Sequence, residues 1–133
     1  MTTSLTADSV RVCRADYANP MHAAAVVKML DAYAQDPMGG GEGLSDYAKA
    51  HLVPSLAVRP QAFTVLAFGG ADGQQPIGLV NCIEGFSTFA CRPLVNVHDV
   101  AVLPGIIVIV QLLPASSDKG QSELFVVPEG QIG

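Results

Sequence analysis

The sequence predicts an α+β fold in which two N-terminal helices precede a mixed, mainly antiparallel sheet. Three observations carry that expectation. Two capped helical stretches follow one another, opening at Asn19-Pro20 and at Ser45. Two β-prone runs, 62–68 and 77–84, flank a stretch made of turn residues, Gly69-Gly70-Ala71-Asp72-Gly73-Gln74-Gln75. A third run, 95–103, carries apolar residues on both faces of a two-residue alternation and stops at Pro104-Gly105.

In chain order, residues 10–14 read as a short first strand. Asn19 can cap the next helix and Pro20 suits its first position. That helix should run over Pro20–Gln35, with Val26, Met29, Leu30 and Tyr33 forming one apolar stripe against the sheet. Asp36-Pro37 ends it. Met38-Gly39-Gly40-Gly41-Glu42-Gly43 reads as a joint between helices, since a phosphate-binding glycine loop should follow a strand. Ser45 caps the second helix, and Pro54 should kink or restart it. Gly78 in the return strand suggests a bulge or a close backbone approach. Residues 85–92 read as a loop, and 95–103 as a strand buried on both faces.

A chain of 133 residues that is 50% hydrophobic and 14% charged has enough apolar mass for one core. The formal net charge of -5 disfavours nucleic acid as a partner. Cys13, Cys82 and Cys91 are odd in number and lack C-x-x-C spacing, so neither a disulfide framework nor a metal site is expected. A reducing, cytoplasmic setting follows. The first residues show no secretory pattern, and the apolar run 106–113 is too short to cross a bilayer, so no membrane partner is expected.

The segment "VHDVAVLPG" at 97–105 resembles the fourth strand of the GCN5-related N-acetyltransferases (GNATs), which runs into the acetyl-CoA pyrophosphate loop. "DPMGGGEGLSDY" and "PIGLVNCIEGFSTFACRPL" resemble one bacterial branch of that family, as does the order strand, helix, helix, strand, strand, strand. The likeness spans about 10–105 of a single domain, 1–133. It implies a GNAT-like fold and transfer of an acetyl group from acetyl-CoA, as co-substrate, to a small-molecule or peptide amine.

The resemblance also assigns roles. The backbone of Asp99, Val100, Ala101 and Val102 would pair with the pantetheine arm of acetyl-CoA. His98 and Asp99 would be the catalytic pair: His98 as general base, since histidine titrates near neutral pH, and Asp99 orienting it or binding a cationic acceptor. Tyr33, Gly40, Gly41, Glu84 and Phe86 would border the acceptor groove. Cys82 and Cys91 are expected as small core residues rather than nucleophiles.

After Gly105 the family pattern breaks. The basic-x-x-Gly-x-Gly/Ala loop and its helix are replaced by Ile106-Ile107-Val108-Ile109-Val110, which favours a strand. Pro114 to Gly120 is loop-like, and 124–127 is another β-prone run. A displaced reading frame would account for the change. With Ile written ATC and Val GTC, this stretch read in the frame displaced one base back contains CAT CGT CAT CGT, a His-Arg repeat. Two classes of function follow: an N-acetyltransferase impaired on its cofactor side, or a non-catalytic GNAT-like remnant that binds a partner or forms a homodimer through an uncovered sheet edge.

Overall fold

The computed structural model describes residues 10–103, 106–112 and 122–128. Among these, the order is β1 (Arg11–Arg14), α1 (Pro20–Gln35), a 3-10 turn (Pro37–Gly39), α2 (Asp46–Ala57), β2 (Ala62–Gly69), β3 (Gln75–Ser87), β4 (Arg92–Val102), β5 (Ile106–Leu112) and β6 (Ser122–Pro128). β1 to β4 form one sheet in sequence order, and β5 pairs with β6 in a second.

Local chemistry sets the helix ends as expected. The Asn19 side chain accepts from the backbone N–H of Met21 at 2.9 Å and of His22 at 3.3 Å, with Pro20 opening α1. Ser45 accepts from Ala48 N–H at 3.1 Å and starts α2. Pro54 lies inside α2 without restarting it. The helix forgoes one backbone hydrogen bond there, within its last turn and on an exposed side chain, where the loss is tolerated.

All pairings in the four-stranded sheet are antiparallel, so the mixed character expected from the sequence is not seen among the described strands. A parallel neighbour for β4 needs a crossover of a dozen or more residues, usually a helix. Here β5 begins four residues after β4 ends and pairs antiparallel with β6, with Ile109 opposite Phe125. The β-prone readings of 106–110 and 124–127 agree with these strands, whereas 114–120 lies outside the described residues.

The helices cover one face of the sheet. Ala25, Val26 and Met29 of α1 and Val53 of α2 bury against Leu66, Phe68, Leu79 and Ala101. Tyr33 is 36% exposed, so it does not join the stripe expected for it. The buried face of α1 is centred on Val26 and Met29, and Tyr33 sits in its last turn. The other sheet face gathers Val65, Ala67, Ile77, Val80 and Cys82. Ile77 is an extra residue in β3, because Ala67 lies opposite Gly78 and Phe68 opposite Pro76. That is the bulge expected beside Gly78.

The hairpin of β3 and β4 is longer than the sequence suggests. Ladder pairs continue through Gly85–Leu94 and Phe86–Pro93 to Ser87–Arg92, so most of the expected 85–92 loop is strand and only 88–91 turns. Beyond the last β2 partner, Ala62 opposite Ile83, this hairpin stands as a two-stranded arm. Its apolar side chains Phe86 and Phe89 are 60% and 105% exposed.

Candidate functional site

β4 is, with β1, one of the two edge strands of its sheet, and a bulge interrupts it at the middle. Asp99 lies opposite Asn81 and Val97 opposite Cys82, which leaves His98 with no partner on β3. The extra residue changes the facing of the strand. Asp99 and Ala101 follow Asn81 and Leu79 towards the helices, while Val97 follows Cys82 to the opposite face. The simple alternation, which put Val97, Asp99 and Ala101 on one side, is therefore corrected by the bulge. So is burial on both faces. Leu94, Val97, Val100 and Val102 are all exposed, and Ala101 is the fully buried residue of β4, because an edge strand has a neighbour on one side only.

Asp99 is half-buried and held from within. The amide Nδ2 of Asn81 donates to Asp99 Oδ2 at 3.1 Å. Asn81 Oδ1 accepts from the Thr64 hydroxyl at 2.7 Å. The Thr64 proton is thereby committed, so the Tyr17 hydroxyl, 2.8 Å away, donates to Thr64 Oγ1. The bonds run one way, Tyr17 to Thr64 to Asn81 to Asp99, and end on a carboxylate. Thr64 is fully buried and Asn81 nearly so, and every buried side-chain polar atom among the described residues has a partner. Burial raises the Tyr17 phenol above its ordinary 10.0, against a smaller opposing pull from the nearby Arg14 charge, and the neighbouring Cys82 adds to the rise. Tyr17 therefore keeps its proton, and the chain its direction, at neutral pH. Among the described residues, Asp99 Oδ1 takes part in no such bond.

The backbone of β4 completes the arrangement. Leu103 N–H donates to Ile77 O at 3.1 Å, so its peptide groups face β3. By alternation Ala101 shares that direction, and the N–H and C=O of Val100 and Val102 face the open edge. His98 is exposed and adjoins this edge at the bulge.

The other candidates lie farther off. Glu84, exposed, is opposite Val95, and Phe86 is opposite Pro93 on the projecting arm. Phe86 is four rungs from Cys82, about 13 Å along the strand. Tyr33 ends α1, and Gly40 and Gly41 lie in the helix joint with φ of 111° and 80°. The joint is tied back to α1. Gly39 N–H and Gly41 N–H donate to Asp36 O at 2.8 Å and 3.0 Å, and Leu44 N–H donates to Asp31 Oδ1 at 2.8 Å. A Cβ at Gly39 would collide with the Tyr33 carbonyl, which explains glycine there. Among the described residues no hydrogen bond links this joint to β4.

Sequence reasoning missed Tyr17, Thr64 and Asn81. Two polar residues inside otherwise apolar strands were the available signal, since such groups need partners.

No protein-family model and no curated protein matches the chain. Several solved structures resemble it, among them the crystal structure of a probable acetyltransferase, superposed with a TM-score of 0.54 at 17% sequence identity over 71% of this chain. At that identity the likeness shows the fold alone: the chain has an acetyltransferase-like fold. It spans 57% of the length of that structure. Among the described residues, no helix is long and apolar enough to cross a membrane.

Proposed function

We propose that this chain is a GNAT-type N-acetyltransferase domain whose β4 edge carries the reaction and whose pyrophosphate anchoring is impaired. One observation carries the reading: the open backbone of Val100 and Val102 lies beside the bulged His98 and the tethered Asp99 on a single edge strand. The acetyltransferase-like fold supports it.

In this reading the edge receives the pantetheine arm of acetyl-CoA as an added strand would. Asp99 Oδ1 attracts the acceptor ammonium. Neutral His98 takes its proton, and the nitrogen lone pair attacks the thioester carbonyl. The tetrahedral intermediate then collapses with cleavage of the C–S bond, and the leaving coenzyme A thiolate takes up the proton that the acylated nitrogen gives up. The Tyr17–Thr64–Asn81 chain keeps Asp99 oriented while these protons move.

The pyrophosphate fits less well. A helix N-terminus offers several N–H donors to such a group, but here β5 opens as a strand at Ile106. We read 106–133 as a divergent tail on a single GNAT-like domain, the product of a displaced reading frame, acting in the cytoplasm on a small-molecule or peptide amine.

The test is a chain in which a basic-x-x-Gly-x-Gly loop and its helix are restored after Gly105. Acetyl transfer to a panel of amines should appear, and His98→Ala should lower kcat far more than it raises the KM for acetyl-CoA. A restored chain that binds acetyl-CoA tightly yet transfers nothing would contradict catalysis at β4.

A further inference from the structure

A second region of the molecule has the makings of a binding site, and it lies on the helical side. A groove of about 410 Å³ is lined by Arg14, Asp16, Tyr17, Arg59 and Phe63 among others, where the end of β1 meets the end of α2. A second groove, of about 610 Å³, runs between α1 and α2 past Val27, Lys28, Lys49 and Val53. The two share Tyr17 and Ala57 in their linings. Both volumes fall in the range of small-molecule sites.

The charge there is opposite to that of the chain. The protein carries a formal net charge of -5 with seven Lys and Arg. Four of those seven, Arg14, Arg59, Lys28 and Lys49, line the two grooves, against one acidic residue, Asp16. No carboxylate is seen paired with Arg14 or Arg59 among the described residues, whereas Lys49 pairs with Asp31 at 3.8 Å. Both guanidiniums are nonetheless positioned. Arg14 stacks over the Phe63 ring at 4.8 Å, and Arg59 donates to Ser55 O at 2.7 Å.

We propose that these adjoining grooves together bind a medium-chain carboxylate, its head on Arg14 and Arg59 and its alkyl tail laid past Tyr17 and Ala57 into the cleft between α1 and α2. Guanidinium groups match the planar fork of a carboxylate. Asp16 already accepts from Ala18 N–H at 3.0 Å and repels a doubly charged phosphate more than a singly charged carboxylate. The tail contacts are alkyl and aromatic surface, Tyr17, Ala23, Val27 and Val53, which reward length. The site lies on the helical side and shares Tyr17 with the bond chain that ends on Asp99, but it does not depend on acetyl transfer.

The experiment is a titration of the full chain with decanoate, followed by amide resonances of α1 and α2. The account expects saturable binding that tightens about threefold to fourfold per added methylene from octanoate to decanoate. It also expects decanol, acetate and inorganic phosphate each to bind at least tenfold more weakly than decanoate. Arg14→Gln with Arg59→Gln should weaken decanoate at least tenfold and Arg59→Lys should retain part of it. Ala57→Phe, an exposed position that fills the junction, should abolish it in a chain with an unchanged unfolding midpoint. Equal binding of decanol would reduce the site to an apolar surface, and equal binding of phosphate would reduce it to a bare anion site; either overturns the proposal, as does unaltered decanoate binding by a folded Ala57→Phe.

Discussion

The Asn81 carboxamide bridges Thr64 and Asp99, accepting from the Thr64 hydroxyl at 2.7 Å and donating to Asp99 Oδ2 at 3.1 Å. Both of its functions are used across three strands. Asn81→Leu should cost about 1–3 kcal/mol in urea unfolding, because the fully buried Thr64 hydroxyl loses the acceptor of its proton. Thr64→Val added to Asn81→Leu should cost less than it does alone, since the Thr64–Asn81 bond is already gone. Strict additivity in that double-mutant cycle would show that the groups do not act as one network.

The same chain of bonds sets an alkaline limit on stability. Burial raises the Tyr17 phenol above 10.0, and burial raises the Cys13 and Cys82 thiols above 9.0 against a smaller opposing pull from Arg11 and Arg14 respectively. A raised pKa means that the folded state holds these protons more tightly than the unfolded chain. Their contribution is full below pH 9 and is lost as the pH rises through the raised values. Unfolding free energy should therefore fall steadily above pH 9, and Tyr17→Phe should flatten the part of that fall above pH 10. Stability that rises with pH in this window would contradict the burial of these groups.

The three thiols should separate in reactivity. Cys91 is exposed in the turn of the β3–β4 arm, Cys13 is half-buried, and Cys82 is buried in the sheet. At pH 8, iodoacetamide should label Cys91 first and Cys13 more slowly, and should reach Cys82 only on unfolding. Early labelling of Cys82 would mean that the sheet face around Val65 and Val80 is open.

The sequence made the frame of the fold legible because its signals are local. Asn19-Pro20, Ser45 and the 69–75 turn fix element ends through bonds made within a few residues, and the 106–110 run is β-prone by side-chain shape alone. What alternation does not reveal is a bulge. One unpaired residue at His98 moves Val97 to the far face and leaves Asp99 with Asn81. The tether of Asp99 also stayed hidden, since Tyr17, Thr64 and Asn81 are brought together only by strand pairing. Tyr33 shows the converse limit: its spacing fits the apolar stripe of α1, yet it lies too near the helix end to be covered.

The central claim is that acetyl-CoA meets this chain at the β4 edge without a pyrophosphate cradle. Charge-assisted bonds to such a group are worth roughly 1.5–3 kcal/mol each. Losing about three, discounted for solvent screening, removes something like 3–6 kcal/mol, a hundredfold to more than ten-thousandfold in affinity. An amide-resolved titration with acetyl-CoA tests this directly. The account predicts a dissociation constant of about millimolar or weaker, with the largest shifts at Val100 and Val102 and their neighbours His98 and Asp99. Micromolar affinity, or shifts that leave β4 untouched, would contradict it.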